Sequence, residues 1–492
     1  MWLGQARIGA LGVLRASPFL PCRAPATRAF TAPRFPFPFG SPARQFSWSR
    51  KALARVPPGA RTAKETVPEA EVFSEAVREQ AQGPHGPTFY ETAARPRVAR
   101  QILWFLGFSA LSFPVAAWLT ERSTSRWEQE LWTTNPWDKV TNALLRTKQQ
   151  QALVEDLRSI HRSLLNGVLS VFPAGVKTTI SQLYVTIFQP VADASQPKRV
   201  AWSMCFGMGV VLLLQNMSRF APFMRRNFMH SVVTGMSVTM LTSTFAHAEI
   251  FHYLLNMLAF EGFGSSAIVY LVKAQDREQQ NGVLEATPLW HFLAFFCVAG
   301  TFSSLVHHVV QVKVSYPRLI RQYSAALARH AATAASAVGR TKTWADAVRH
   351  TGRTRQHWFP RAPAVEKPPL SELEALQNRL RRTMLPSLGA SGAVYACLVI
   401  TALAFPSAEV ALFFPPGLSM NIGTAVLGAV ALDITGIIMG WSFMAHWAHL
   451  GGALFGFVYY HYGPAFWADM RRIVHAWETR QDGGQQPGKR LM

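Results

Sequence analysis

Charge is scarce in this chain. Only 15% of its 492 residues are charged, against about a quarter in ordinary soluble proteins. Cysteine is scarce too. Cys22, Cys205, Cys297 and Cys397 make neither a zinc spacing nor a disulfide framework, and the last three fall in apolar stretches as inert thiols. No His-Glu-x-x-His occurs, which removes the usual zinc-peptidase signature, so neither metal nor cofactor is expected. No internal repeat is found, which argues against a carrier or channel built from repeats. Acidic residues are missing altogether before Glu65.

What is abundant is apolar. Hydrophobic residues make up 49% of the chain, and they come in blocks. A helix of about 20 apolar residues crosses about 30 Å of hydrocarbon. The formal net charge of +22 would suggest nucleic acid in a soluble protein. Here the basic residues sit mainly outside the apolar blocks, where such charge sets topology or meets anionic lipid. The expected partner is therefore the lipid bilayer, with no nucleic acid.

The acid-free N-terminus carries Arg7, Arg15, Arg23, Arg28, Arg34, Arg44, Arg50, Arg55 and Arg61. Arg-rich, acid-poor composition is that of an organelle transit peptide. Leu3, Ile8, Leu11 and Leu14 can share one helical face with Arg7 and Arg15 off it. Arg44-Gln45-Phe46-Ser47 resembles a mitochondrial processing site, with Arg28-Ala29-Phe30-Thr31 as a weaker rival. Residues 1–46 are read as a mitochondrial transit peptide and 47–100 as a disordered linker on the matrix side.

Seven apolar blocks follow, near 102–119, 200–215, 248–272, 288–309, 385–405, 417–440 and 443–462. The first is interrupted by Pro114 and stands apart, across a loop of about eighty residues with helical stretches. The expected fold is an all-α polytopic membrane protein, a six-helix core preceded by one extra transmembrane helix (1+6). Its divisions are the extra helix at 101–120, the inter-span loop at 121–198, the core at 199–465 and a C-terminal tail at 466–492. A basic insert at about 311–384 interrupts the core. Its Ala, Arg and Pro content favours disorder, and it holds fourteen Lys or Arg against Asp346, Glu366, Glu372 and Glu374.

Polar groups inside lipid are costly and usually functional. Three sets stand out. Gly389-Ala390-Ser391-Gly392 opens the fifth block and leaves a serine between small residues. His449-Leu450-Gly451-Gly452 opens the seventh, and Gly452 and Gly456 share a face that permits close helix approach. His449 lies one turn before Gly452 on that face. If the neighbour is the fifth block, His449 reaches Ser391 and serves as the base that a serine nucleophile needs. In the third block His252 and Asn256 point the same way, as a pair of oxyanion donors or as interhelical hydrogen-bonding groups.

Together these sets resemble the rhomboid proteases over about residues 199–465. That family has His-x-x-x-Asn on its second core helix, Gly-x-Ser-Gly on its fourth and an Ala-His-x-Gly type motif on its sixth. Here His252…Asn256, Gly389…Gly392 and Ala448…Gly452 fall on those helices in that order. Tyr395 stands where family members often place an aromatic stacking on the catalytic histidine. The extra span and the transit peptide resemble the mitochondrial, presenilin-associated rhomboid-like branch. A Trp-Arg pair common after the first core helix is absent from 216–246.

The resemblance implies an intramembrane serine protease of the mitochondrial inner membrane, working by a Ser391–His449 dyad through an acyl-enzyme. It implies His252 and Asn256 at the oxyanion and single-span membrane proteins as substrates, such as a dynamin-like GTPase or arrested imported precursors. Gly389, Gly392, Tyr395, Gly452 and Gly456 are supporting residues. Parity of spans puts the N-terminus in the matrix and the C-terminus in the intermembrane space. Asp433 could orient a histidine, but a dyad does not require it. His446 could be the base by spacing alone, yet the Gly-Gly context selects His449. His247, His307 and His308 sit near span ends, where a histidine needs no special role. The competing readings are a catalytically silent rhomboid-fold adaptor that binds membrane helices, and a carrier or channel.

Overall fold

The computed structural model describes residues 98–134, 139–232, 236–279, 283–350, 375–376, 379, 386–411, 417–441 and 444–481. Of residues 334–350 it describes the backbone alone. The expected transit peptide, all but the end of the expected linker, much of the insert after His350, and tail residues 482–492 lie outside the described residues.

The described chain is almost wholly helical. Helix α1 spans Ala99–Thr134, α2 Asn142–Asn166, α3 Ala174–Asp193 and α4 Gln196–Asn216. After a short α5 (Ala221–Asn227) come α6 (Ile250–Glu278) and α7 (Leu289–Val310). A π-helical turn at Gln311–Ser315 leads into α8 (Tyr316–His350). Then follow α9 (Ser391–Ala404), a small antiparallel pair β1 (Glu409–Ala411) and β2 (Ser419–Asn421), α10 (Ile422–Met439) and α11 (His446–Gln481).

Among the described residues, five helices are long and apolar enough to cross a membrane: α1, α4, α6, α7 with its continuation, and α10. The expected seven are therefore matched at five positions by length and composition. The fifth expected span begins at Ser391 instead of near Leu385 and has 14 residues. Pro386 and the positive φ of Gly389 (135°) keep the preceding segment out of a helix. That segment is extended and exchanges both backbone hydrogen bonds between His230 and Ser387, at 3.0 and 2.8 Å. The seventh, α11, is long but carries polar residues at both ends.

Two other expectations change. Pro114 does not interrupt α1, because Phe113, Ala116 and Ala117 are buried where the helix packs on α7 and α11. Tertiary packing of this kind outweighs one lost backbone bond. The insert is not disordered at its start, since α8 runs to His350. Residues 324–337 are rich in Ala, the strongest helix former, and Pro317 falls just after the π-helical turn, where the regular backbone bonding is already interrupted.

The core lies between α6, α7, α9 and α11, around Phe260, Phe292, Phe295, Phe296, Cys397, Ile400 and Tyr459. Helix α1 joins it through Phe113, edge-on to Phe466 and stacked near Tyr459. A polar clamp closes the end where α6 passes to α7. Arg471, only 2% exposed, pairs with Glu121 at 2.8 Å and donates to the carbonyls of Ala117 and Leu284. His475 meets the other Glu121 oxygen at 2.7 Å. In the connecting loop, Glu285 accepts from Gln275 Nε2 and Trp467 Nε1, and its own N–H donates to Asn142 Oδ1. Burial pushes the Glu285 carboxyl up to about 7.

Breaking a buried ion pair from one side leaves a lone charge and costs about 3–5 kcal/mol, whereas replacing both members can be neutral. Arg471→Met should therefore lower the thermal unfolding midpoint in detergent clearly, and Glu121→Met/Arg471→Met should recover most of the loss. Equal destabilisation in the single and double variants would show that the pair does not hold α1 to α11.

Candidate active site

Helices α9 and α11 run side by side in the same direction. A Cβ on Gly452 would collide with the carbonyl of Gly392, and one on Gly456 with that of Ala396, four residues further along each helix. Only hydrogen at these two positions permits that approach. The shared direction follows from the chain, since α10 makes one return pass between them. With Gly392 against Gly452, the first residue of α9 faces the residue one turn before Gly452.

Those residues are Ser391 and His449. Ser391 Oγ lies 2.9 Å from His449 Nε2. The opposite ring nitrogen, Nδ1, lies 3.0 Å from Asp433 Oδ1. An ionised carboxylate only accepts, so it fixes the proton on Nδ1 and leaves Nε2 as the acceptor for the serine hydroxyl. Tyr395, one turn after Ser391, stacks on the His449 ring at 4.5 Å between centroids and 11° between planes. Three contacts therefore hold the imidazole in one orientation.

Asp433 is fully buried and is the sole charged residue of α10. The sequence reading leaves it aside; the structure sets it on both His449 and His446, the latter at 2.6 Å through Nδ1. One oxygen thus receives two imidazole N–H groups. A lone carboxylate in an otherwise uncharged apolar helix was the available signal. Asn421 caps α10 by accepting from Gly423 N, and Gly440 ends it at φ +70°. The His446 ring fills the space over Gly436.

Ser391 is the first residue of α9, and the first bond of that turn is Val394 N to Ala390 O. The N–H groups of Ser391 and Gly392 have no carbonyl within the helix to bind. They point with the positive end of the helix dipole, where developing negative charge is stabilised. Gly389 donates to Ser243 O, which ties the approach to Ser391 to the loop before α6. A Cβ on Gly389 would lie 2.9 Å from His252 Cε1 and 3.8 Å from Ser391 Oγ. His252 and Ser391 therefore flank the same point.

Asn256 is buried on the same helix, but its Nδ2 donates to the His252 carbonyl and makes no hydrogen bond to Ser391 or His449. His247, expected to need no role, is buried with its ring 5.2 Å from that of His252. His308 likewise meets His230 at 3.0 Å and so links α7 to the loop that bridges Ser387. Ser303 on α7 went unnoticed in the sequence. It donates to Ala448 O and lies against Gly392, so it touches both α9 and α11 beside Ser391 and His449. Among the described residues no cluster of His, Cys, Asp or Glu is arranged to hold a metal ion.

Comparison with known proteins converges on this part of the chain. Residues 371–464 match the family model described as the rhomboid domain. Over 104 residues the chain is 38% identical to the presenilin-associated rhomboid-like protein, mitochondrial, of Rattus norvegicus, covering 21% of this chain and 28% of that one. The protein of that name from Bos taurus is 26% identical over 250 residues, covering 51% and 44%. Rhomboid protein 1, mitochondrial, of Saccharomyces cerevisiae is 41% identical over 76 residues, covering 15% and 21%. The matched stretches thus span less than half the length of these relatives. No solved structure matches. The segment that carries Ser391, Asp433 and His449 is similar to the rhomboid domain, within a polytopic helical chain related to the mitochondrial presenilin-associated rhomboid-like proteins.

Proposed function

We propose that the chain is an intramembrane serine protease of the rhomboid family, seated in the mitochondrial inner membrane. The observation that carries this reading is the 2.9 Å contact between Ser391 Oγ and His449 Nε2, with Asp433 on the far ring nitrogen. A bland packing role for these polar groups would not need a serine, an imidazole and a carboxylate in series inside an apolar bundle. The mitochondrial setting is supported by the relatives' names and by the Arg-rich leader.

In the proposed reaction His449 takes the Ser391 proton at Nε2 while Ser391 Oγ attacks a substrate carbonyl. The imidazolium so formed is held by Asp433. The tetrahedral oxyanion is received by the free N–H groups at the start of α9, with His252 beside them and Asn256 as a further donor once substrate is bound. His449 then returns the proton to the leaving amine, giving an acyl-enzyme on Ser391. Water attacks that ester with His449 again as base, restoring the serine. The substrates proposed are single-span membrane proteins, with a dynamin-like GTPase and arrested imported precursors as examples. The N-terminus is assigned to the matrix and the C-terminus to the intermembrane space, and Ser391 lies near the matrix end of its helix.

Ser391→Ala and His449→Ala should each abolish cleavage of a membrane substrate by purified protein without lowering its accumulation. Cleavage at the parent rate by the Ser391→Ala protein would remove the protease assignment. Asp433→Asn keeps the shape but loses the fixed tautomer. In a serine-histidine-carboxylate system such a change lowers kcat by up to about 10⁴-fold. Here kcat should fall steeply with KM little changed, and an unaltered kcat would reduce Asp433 to a structural counter-charge.

A further inference from the structure

Helices α2 and α3 form a hairpin that stands apart from the bundle. Its arms are joined by Tyr184 OH donating to Leu157 O at 2.8 Å, by His161 Nε2 and Ser181 Oγ at 2.9 Å, and by Gln150 donating to Ala192 O. Its root is fixed where several apolar helices end. Asn142 Nδ2 donates to Asp276 on α6, its N–H donates to Gln279, and Gln196 donates to Gln149 and to Ala286 O in the loop before α7. Leu131, Leu145 and Ala286 form a small apolar cluster there. This root is at the end of the bundle opposite Ser391.

Among the described residues, the outer surface of α3 is apolar and uncovered. Helix α3 has no buried residue. Val176, Ile180, Leu183 and Ile187 follow at spacings of four, three and four, so they share one face. Leu183 and Ile187 are 57% and 53% exposed. The connecting turn adds Val168, Val171 and Phe172, with Val171 85% exposed. From Asn166 to Asp193 the charged residues are Lys177 and Asp193 alone. An apolar surface of this extent marks an interaction site.

We propose that the α2–α3 hairpin is an interfacial membrane anchor, with the Val176–Ile187 face of α3 and the Val168–Phe172 turn lying in the headgroup boundary of the bilayer that the bundle crosses. The occupant follows from position and charge. Two residues separate α3 from α4, whose surface carries Phe206, 75% exposed, along a helix long enough to span. The apolar face of the hairpin therefore continues into a lipid-facing surface. The residues bordering this face, Thr179, Gln182 and Thr186, are uncharged, so it can enter the boundary without carrying a charge out of water. A helix of this kind sits with its apolar side about 5–10 Å into the boundary region. The hairpin would fix the height of the bundle in the membrane from the end away from the site. The inference rests on the membrane reading but not on the protease assignment.

The test uses the full chain reconstituted in phosphatidylcholine vesicles, with an environment-sensitive fluorophore on an introduced cysteine. Leu183→Cys and Val171→Cys report the face and the turn, Glu155→Cys on α2 reports water, and Phe206→Cys reports the hydrocarbon. The parent chain supplies the background from its native thiols. Nitroxide lipids should quench positions 171, 183 and 206, and iodide should quench position 155. Iodide quenching at 171 and 183 with lipid quenching kept at 206 would overturn the anchor while leaving the membrane reading intact. Protection from both quenchers that grows with protein density would assign the face to a second copy and overturn the anchor equally. Loss of lipid quenching at 206 would overturn both.

Discussion

Everything in the site depends on how closely α9 and α11 approach. At Gly452 and Gly456 hydrogen is the largest substituent that the facing carbonyls of Gly392 and Ala396 allow. This contact sets register as well as distance. Once Gly392 faces Gly452, Ser391 and His449 have little choice but to meet. Ser303 then joins both helices by donating to Ala448 O, and Tyr395 covers the imidazole. In an apolar solvent no hydrophobic force draws helices together, so tight van der Waals packing and a few hydrogen bonds must do so. The pairing of Ser391 with His449 is in this sense a consequence of backbone packing.

The two ends of the bundle hold charge in different ways. At one end Asp433 is buried with two imidazoles on a single oxygen. At the other, Arg471 and Glu121 are buried as a pair, with the Ala117 and Leu284 carbonyls on Arg471 and His475 on Glu121. Both arrangements satisfy the need to partner a charge removed from water. They differ in what they leave available. The Arg471 cluster joins α1, the α6–α7 loop and α11 into a clamp. The Asp433 cluster ends in a serine hydroxyl on the first turn of a helix, beside N–H groups without a helical partner. A short helix there, beginning abruptly after an extended segment, keeps the hydroxyl at the end of the bundle.

The residues of the site were legible in the sequence to different depths. Ser391 and His449 could be paired because glycine spacing on α11 carries geometric information, and the structure brings them together as that spacing requires. His252 was tied to the serine by the family resemblance and not by spacing, and it lies beside Ser391 across Gly389. Asn256 was expected at the reacting atoms, yet its amide is turned to its own helix. Spacing puts Asn256 on a helix face but does not fix which partner its amide takes. Asp433 was visible as an isolated carboxylate, but whether it faces a histidine depends on the rotation of α10, which an apolar helix with a weakly graded surface does not encode. The start of α9 was misjudged because hydropathy extends through Leu385 while Pro386 and Gly389 stop the helix. The first part of the insert was misjudged in the opposite direction, since charge and proline further on hid an alanine-rich stretch that continues α7.

The central claim is that Ser391 is an activated nucleophile, with His449 as the base that activates it. A fluorophosphonate, which phosphonylates an activated serine with loss of fluoride and spares ordinary or packing hydroxyls, tests this without knowledge of any substrate. Purified full-length protein treated with the reagent and mapped by peptide mass spectrometry should carry the adduct on Ser391, and the His449→Ala protein should carry none. Absence of an adduct from folded parent protein, or equal labelling of the parent and His449→Ala proteins, would contradict the account.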